Sequence, residues 1–154
     1  MKNSRCAFTM IELVFVIVVL GILAAVAIPR LAATRDDANL VKGQSQVSAI
    51  RSGIALQKSR RLLEGNTSAL PNIDSVINYN INDQRLFNFA DGNTSNVLEY
   101  PILSRRDTDG SWVKTNVNAY TFRVLGVDNN FTYNNVTGLF NCTTGVASCD
   151  DLTR

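Results

Sequence analysis

Glu12 is the one charged residue between Phe8 and Ile28, a run of 21 residues made otherwise of apolar and small side chains plus Thr9. A carboxylate in such surroundings either pairs with a cation or reaches out to a polar interface. Just before the run, a small residue, Ala7, precedes the bulky Phe8. Cysteine chemistry rests on Cys6, Cys142 and Cys149, and there is no histidine. The missing imidazole removes the commonest general base, the commonest zinc ligand and every triad built on it. Two downstream cysteines without histidine or a second pair make a poor zinc cage. Asp107 and Asp109 with Glu99, or Asp150 with Asp151, could gather calcium. The full ligand spacing of an EF-hand is absent, and solvated turn acids are the simpler reading. Asn66, Asn93 and Asn130 each precede x-Ser/Thr and follow an acid two positions earlier (Glu64, Asp91, Asp128), the stricter bacterial pattern for N-linked sugar. In a chain rich in asparagine and threonine, chance produces such matches too. No catalytic or metal set and no cofactor is expected.

A length of 154 residues suits one domain with one modest core. With 45% apolar and 18% charged residues the chain is not of the disordered class. A net charge of +2 is too small to imply nucleic acid. Together with the missing histidine, these features point to a structural or binding protein and away from an enzyme.

Three unlike stretches must position these residues. The first opens with Lys2 and Arg5 and no acid, then enters the apolar run. As a helix, 21 residues rise about 31 Å, roughly one bilayer core. Pro29 and Arg30 close it. The basic leader favours a cytoplasmic N-terminus. The second stretch, Arg30 to Leu63, carries seven basic and two acidic residues. Leu40, Val47 and Ile54, with Val41, Ile50 and Leu62 nearby, give the stripe of an amphipathic helix. Gly43 and Gly53 weaken it by roughly 1 kcal/mol each, and Gly65-Asn66 stops it. One nearly continuous helix is expected from Phe8 to about Leu63, with a kink at Pro29. The third stretch is acidic, with ten acids against six basic residues, and turn-rich. Strands are expected at Ser111–Asn116 and Ala119–Leu125, with more near Asn130–Tyr133 and Gly138–Asn141. Val97–Leu103, broken by Pro101, is an edge strand at best. The small antiparallel sheet needs a cover, and the amphipathic helix supplies it.

Four readings compete for the apolar run. A secretory signal would end near Ala25-Val26-Ala27, but the run is long for one and nothing separates it from the next helix. A plain single-pass anchor is the second. A membrane helix in which Glu12 has a functional partner is the third. A buried helix of a soluble protein is the fourth, and so small a sheet cannot cover it.

The string AFTMIELVFVIVVLGILAAVAIPRL resembles the N-terminal motif of type IV pilins and type II secretion pseudopilins. The likeness covers roughly Lys2 to Leu31. It rests on the basic leader, the small residue, Phe8, Glu12 as the fifth residue after that small one, the apolar run and Pro29. One departure is Ala7, where the family usually has glycine. The resemblance implies an α+β pilin-like fold: a long N-terminal helix, transmembrane in its first half, packed on a small C-terminal antiparallel sheet. It implies a leader over 1–7, a transmembrane and assembly helix over 8–29, an amphipathic continuation over 30–64 and a periplasmic α/β loop and sheet over 65–154. A prepilin peptidase would cut between Ala7 and Phe8 and methylate the new amino group of Phe8. The subunit would sit in the bacterial inner membrane, N-terminus cytoplasmic and C-terminal domain periplasmic. An inner-membrane assembly platform would then load it, with other pilin or pseudopilin subunits, into a helical filament. Glu12 would meet a neighbour's Phe8 ammonium and set register. No specific nucleic-acid partner follows. Cys6 would leave with the leader. Cys142 and Cys149 would pair in the oxidising periplasm, as in the C-terminal disulfide loop that pilins often carry, at roughly 2.5 kcal/mol. The alternative is two free thiols in a tail. A secretion pseudopilin is the preferred reading and a subunit of a true type IV pilus the alternative.

Overall fold

A computed structural model describes residues 8–88, 96–143 and 147–154. Ala7, Cys6, Asn93 and the Asp91-Gly92 turn therefore lie outside the described residues.

Helix α1 spans Met10–Leu63 and runs on through Pro29. Its C-terminal stop is the expected one. Gly65 takes φ 83° and its N–H meets the Leu62 carbonyl, while Asn66 N–H donates to Arg61 O at 2.8 Å. This is a Schellman motif, which satisfies carbonyls the helix end would orphan. The chain divides into two compact units between Asp37 and Ala38. In the first, the apolar side chains from Phe8 to Leu31 are solvent-exposed along the whole run.

The second unit has a core. Val47, Ile50 and Ile54 are buried along one face of α1, with Leu40 packed beside them. Two short strands come next, β1 (Arg85–Leu86) and β2 (Ile102–Leu103), paired antiparallel. Of the Val97–Leu103 segment only the residues after Pro101 form a strand. A four-stranded antiparallel sheet follows: β3 (Ser111–Asn116), β4 (Ala119–Val124), β5 (Val127–Asn134) and β6 (Leu139–Cys142), neighbours in chain order. Leu125 is not the last strand residue. With Gly126 it makes a two-residue turn at positive φ (54° and 72°), and Val124 pairs with Val127 across it. That conformation matches the twist of a tight hairpin and is uncommon for leucine.

Trp112, Tyr120, Phe122, Phe131, Tyr133 and Phe140 project from the sheet into the core with the α1 stripe. Trp112 stands at its centre, 5.0 Å from the rings of both Phe122 and Phe131, and its indole N–H donates to Gln46 Oε1 at 2.9 Å. The glycines of α1 do more than weaken it. A Cβ at Gly43 would collide with the Phe122 ring and the Leu152 side chain. One at Gly53 would collide with the Val97 carbonyl. Both therefore permit close approach to the helix.

Polar side chains of α1 complete the attachment. Lys42 Nζ donates to Gly110 O (2.7 Å), Gln44 Nε2 to Asp151 O (2.8 Å), and Gln57 Nε2 to Asn96 O (2.7 Å). Arg51 Nε reaches Phe140 O on β6 at 3.1 Å. At the other edge of the sheet, Asn80 N–H donates to Lys114 O and Arg105 N–H to Trp112 O. A short helix α2 (Ala147–Thr153), absent from the sequence reading, closes the chain and buries Cys149 and Leu152.

Candidate assembly site at the helix start

Thr9 explains why α1 begins at Met10 and not at Phe8. It is the N-cap: its Oγ1 accepts from Glu12 N–H at 3.4 Å, and its carbonyl accepts from Leu13 N–H at 3.2 Å. The Thr9 hydroxyl also lies 3.4 Å from Glu12 Oε2. The sequence Thr-x-x-Glu is that of a capping box, and its Thr9 half is made here, the hydroxyl taking up the Glu12 N–H. Sequence reasoning passed over Thr9 because attention rested on Glu12 alone, although the spacing was readable. The carboxylate also sits in the first turn, where the helix dipole stabilises an anion by about 0.3–1 kcal/mol. Glu12 is thus held at the helix mouth, exposed, within one turn of Phe8, which is itself 71% exposed.

From Leu13 to Ile28 the helix carries only apolar side chains and Gly21. It is long and apolar enough to cross a membrane, and none of that apolar stretch is buried within the chain. Of the expected site residues, Phe8 and Glu12 lie together here, Pro29 lies further along α1, and the cysteines belong to the other unit. Cys142 on β6 and Cys149 on α2 form a disulfide, with Cα atoms 5.7 Å apart.

Of the five acids considered for calcium, Asp109 and Asp151 are engaged with protein groups. Asp109 Oδ1 accepts from Gly126 N–H, and Arg123 pairs with both Asp109 (3.5 Å) and Asp128 (3.1 Å). Asp151 pairs with Arg154 at 3.7 Å. Among the described residues no three His, Cys, Asp or Glu side chains converge as a metal-holding group.

A buried ionic cluster was not foreseen. Lys114 lies on the core face of β3, two residues from Trp112, and its Nζ pairs with Asp74 Oδ1. It also donates to Val76 O at 2.6 Å, with the Tyr79 and Tyr120 rings 6.0 and 5.8 Å away. Asp74 Oδ1 accepts from Val76 N–H, and Oδ2 accepts from the Tyr120 hydroxyl at 2.6 Å. Burial, then the Asp74 charge, then that hydrogen bond hold the Tyr120 hydroxyl far above the ordinary tyrosine range. The cluster clamps the loop carrying Asp74 to β3 and β4. It is a structural device, since every charged atom in it already has a protein partner.

An exposed apolar helix start, and further along the chain a small antiparallel sheet packed on the continuing helix, make an α+β pilin-like fold. Comparison with known proteins agrees. Residues 2–28 match the prokaryotic N-terminal methylation motif. The chain is similar to the type IV narrow pilus major component PilA5 of Thermus thermophilus, 45% identical over 49 residues, 32% of this chain and 42% of that one. It is also similar to the type II secretion system core protein G of Klebsiella michiganensis, 35% identical over 57 residues, 37% of this chain and 40% of the other. The chain thus spans about two fifths of the length of these relatives. No solved structure matches it.

Proposed function

We propose that the chain is a pseudopilin, a non-enzymatic structural subunit of a type II secretion or related envelope filament. A prepilin peptidase removes residues 1–7 by cutting between Ala7 and Phe8 and methylates the Phe8 amino group. The protein then rests in the inner membrane through residues 8–29, N-terminus cytoplasmic, with its head in the periplasm. Pro29 kinks the helix where the apolar run ends. An assembly platform extracts the subunit into a helical filament, where Glu12 meets the Phe8 ammonium of a neighbour. One observation carries the reading: a fully exposed apolar helix begins at a capped carboxylate one turn from the site of the new amino terminus. Such a helix requires apolar company, first lipid and then other copies.

Mass spectrometry of the membrane-extracted protein tests it. The expected chain starts at Phe8 and is heavier by one methyl group. A mature start at Ile28, after Ala25-Val26-Ala27, restores an ordinary signal peptide and defeats the reading. The likeness to a pilus component supports a second reading, a true type IV pilus subunit. A deletion strain separates the two: lost secretion with surface filaments retained favours the first, and lost filaments in sheared material favour the second.

A further inference from the structure

Two of the three acidic sequons lie among the described residues, and the fold treats them oppositely. Asn66, in Glu64-Gly65-Asn66-Thr67-Ser68, follows the C-terminal stop of α1. All five of these residues are exposed and none belongs to a helix or strand. Asn66 Oδ1 accepts from the Ser68 N–H at 3.0 Å and from the Ser68 hydroxyl, so the acceptor amide and the hydroxyl the sequon requires already face each other across a turn. The amide nitrogen Nδ2 makes no hydrogen bond of its own in that turn, where both contacts fall on Oδ1. Asn130, in Asp128-Asn129-Asn130-Phe131-Thr132, is fixed in β5. Its segment pairs with β4 from Asp128 to Thr132, Thr132 and Phe131 also pair with β6, and Asn130 Oδ1 accepts from the Thr121 hydroxyl at 2.9 Å. Bending that strand into a turn would break the ladders on both sides.

We propose that Asn66 is an N-glycosylation site of the exported head and that Asn130, despite an equally complete sequon, is not. The donor is a polyprenyl-diphosphate-linked oligosaccharide presented at the periplasmic face. The Asn66 Nδ2 forms a bond to the anomeric carbon of the first sugar. The bond from that carbon to the diphosphate oxygen breaks, polyprenyl diphosphate leaves with the electron pair, and the proton lost from Nδ2 passes to base. Exposure and the preformed turn let an enzyme seize residues 64–68 on the folded protein, whereas residues 128–132 would first have to unfold. The proposal rests on the periplasmic orientation given above and is independent of which filament the subunit joins.

The purified full chain in detergent, incubated with a bacterial single-subunit oligosaccharyltransferase and its polyprenyl-linked oligosaccharide, provides the test. The expected result is one glycan on the peptide bearing Asn66 and none on the peptide bearing Asn130. Asn66→Gln, Glu64→Gln and Ser68→Ala should each abolish it while leaving the Cys142–Cys149 bridge and the Trp112 fluorescence of the folded protein unchanged. An unmodified Asn66 while a control acceptor peptide is glycosylated overturns the proposal, as does sugar on Asn130 of the folded chain. Neither outcome touches the start at Phe8, so this idea can fail while the subunit assignment stands.

Discussion

Replacing Lys114 with methionine removes the cation that pairs with Asp74 in the core cluster. The two side chains are 5% and 0% exposed, so water cannot take over the pairing. Breaking one side of a buried pair costs about 3–5 kcal/mol. Asp74 would keep two donors, Tyr120 O–H and Val76 N–H, which argues for the lower end, about 3 kcal/mol. Against a whole-domain stability of roughly 5–15 kcal/mol, that is a large fraction. Trp112 is the sole tryptophan and fully buried, so urea unfolding of the full chain in detergent can be followed by its fluorescence. Adding Asp74→Asn to Lys114→Met removes the orphaned charge and keeps an acceptor for Tyr120. The double variant should therefore recover more than half of the loss. A single variant within about 1 kcal/mol of wild type, or losses that simply add, would refute the clamp.

Gly53→Ala should destabilise the protein by about 1–3 kcal/mol in the same assay, because overpacking against the Val97 carbonyl outweighs the roughly 1 kcal/mol that alanine gains in an open helix; a more stable variant would show that the backbone yields freely. Cys142→Ser should cost about 2–3 kcal/mol with membrane insertion unchanged, and free thiols at both cysteines in the native mature protein would remove its basis. Raising pH above the ordinary tyrosine value of about 10 should lower stability steadily. The unfolded chain then releases the Tyr120 proton while the folded one retains it, so the contribution is complete below that pH and lost above it; an equal loss of stability over the same range in Tyr120→Phe would contradict this. Glu12→Leu should be cleaved and membrane-resident yet fail to form filaments, since each contact would leave an ammonium unpaired at about 3–5 kcal/mol; normal homopolymers would show Glu12 to be only a cap and an interfacial acid, and for a minor subunit co-assembly with the major one is scored instead.

The elements most legible in the sequence were those whose periodicity reported a single partner. The α1 stripe at Val47, Ile50 and Ile54 could face only a sheet, and it does. β3 matched its sequence run residue for residue. Lys114 escaped because nothing local to β3 announces a buried partner for its charge. Its alternation with Trp112 nonetheless put it on the core face, and only the distant Asp74, 40 positions away, makes that placement tolerable. Gly43 and Gly53 escaped for a similar reason: a helix-propensity view registers the missing side chain but not the Phe122 ring or Val97 carbonyl that needs its space. Helix α2 is too short for periodicity to speak, and its place depends on Gln44, Arg51 and the disulfide. At the helix start the reverse held: the local code of Thr9 and Glu12 was complete in the sequence, yet the apolar run beside it drew the reading.

The two margins of the head sheet have a bearing on how copies can join. Along β3 the outward carbonyls of Trp112 and Lys114 already receive Arg105 and Asn80, and along the four-residue β6 the Phe140 carbonyl receives Arg51. Backbone groups that would otherwise recruit a strand from a second molecule are occupied. Heads that the proposed anchors bring to high local concentration would therefore meet through side chains, and cross-β growth along these two margins would find few open rungs. The unbroken run of exposed apolar side chains from Phe8 to Leu31 is the surface that lipid would cover until other copies replace it.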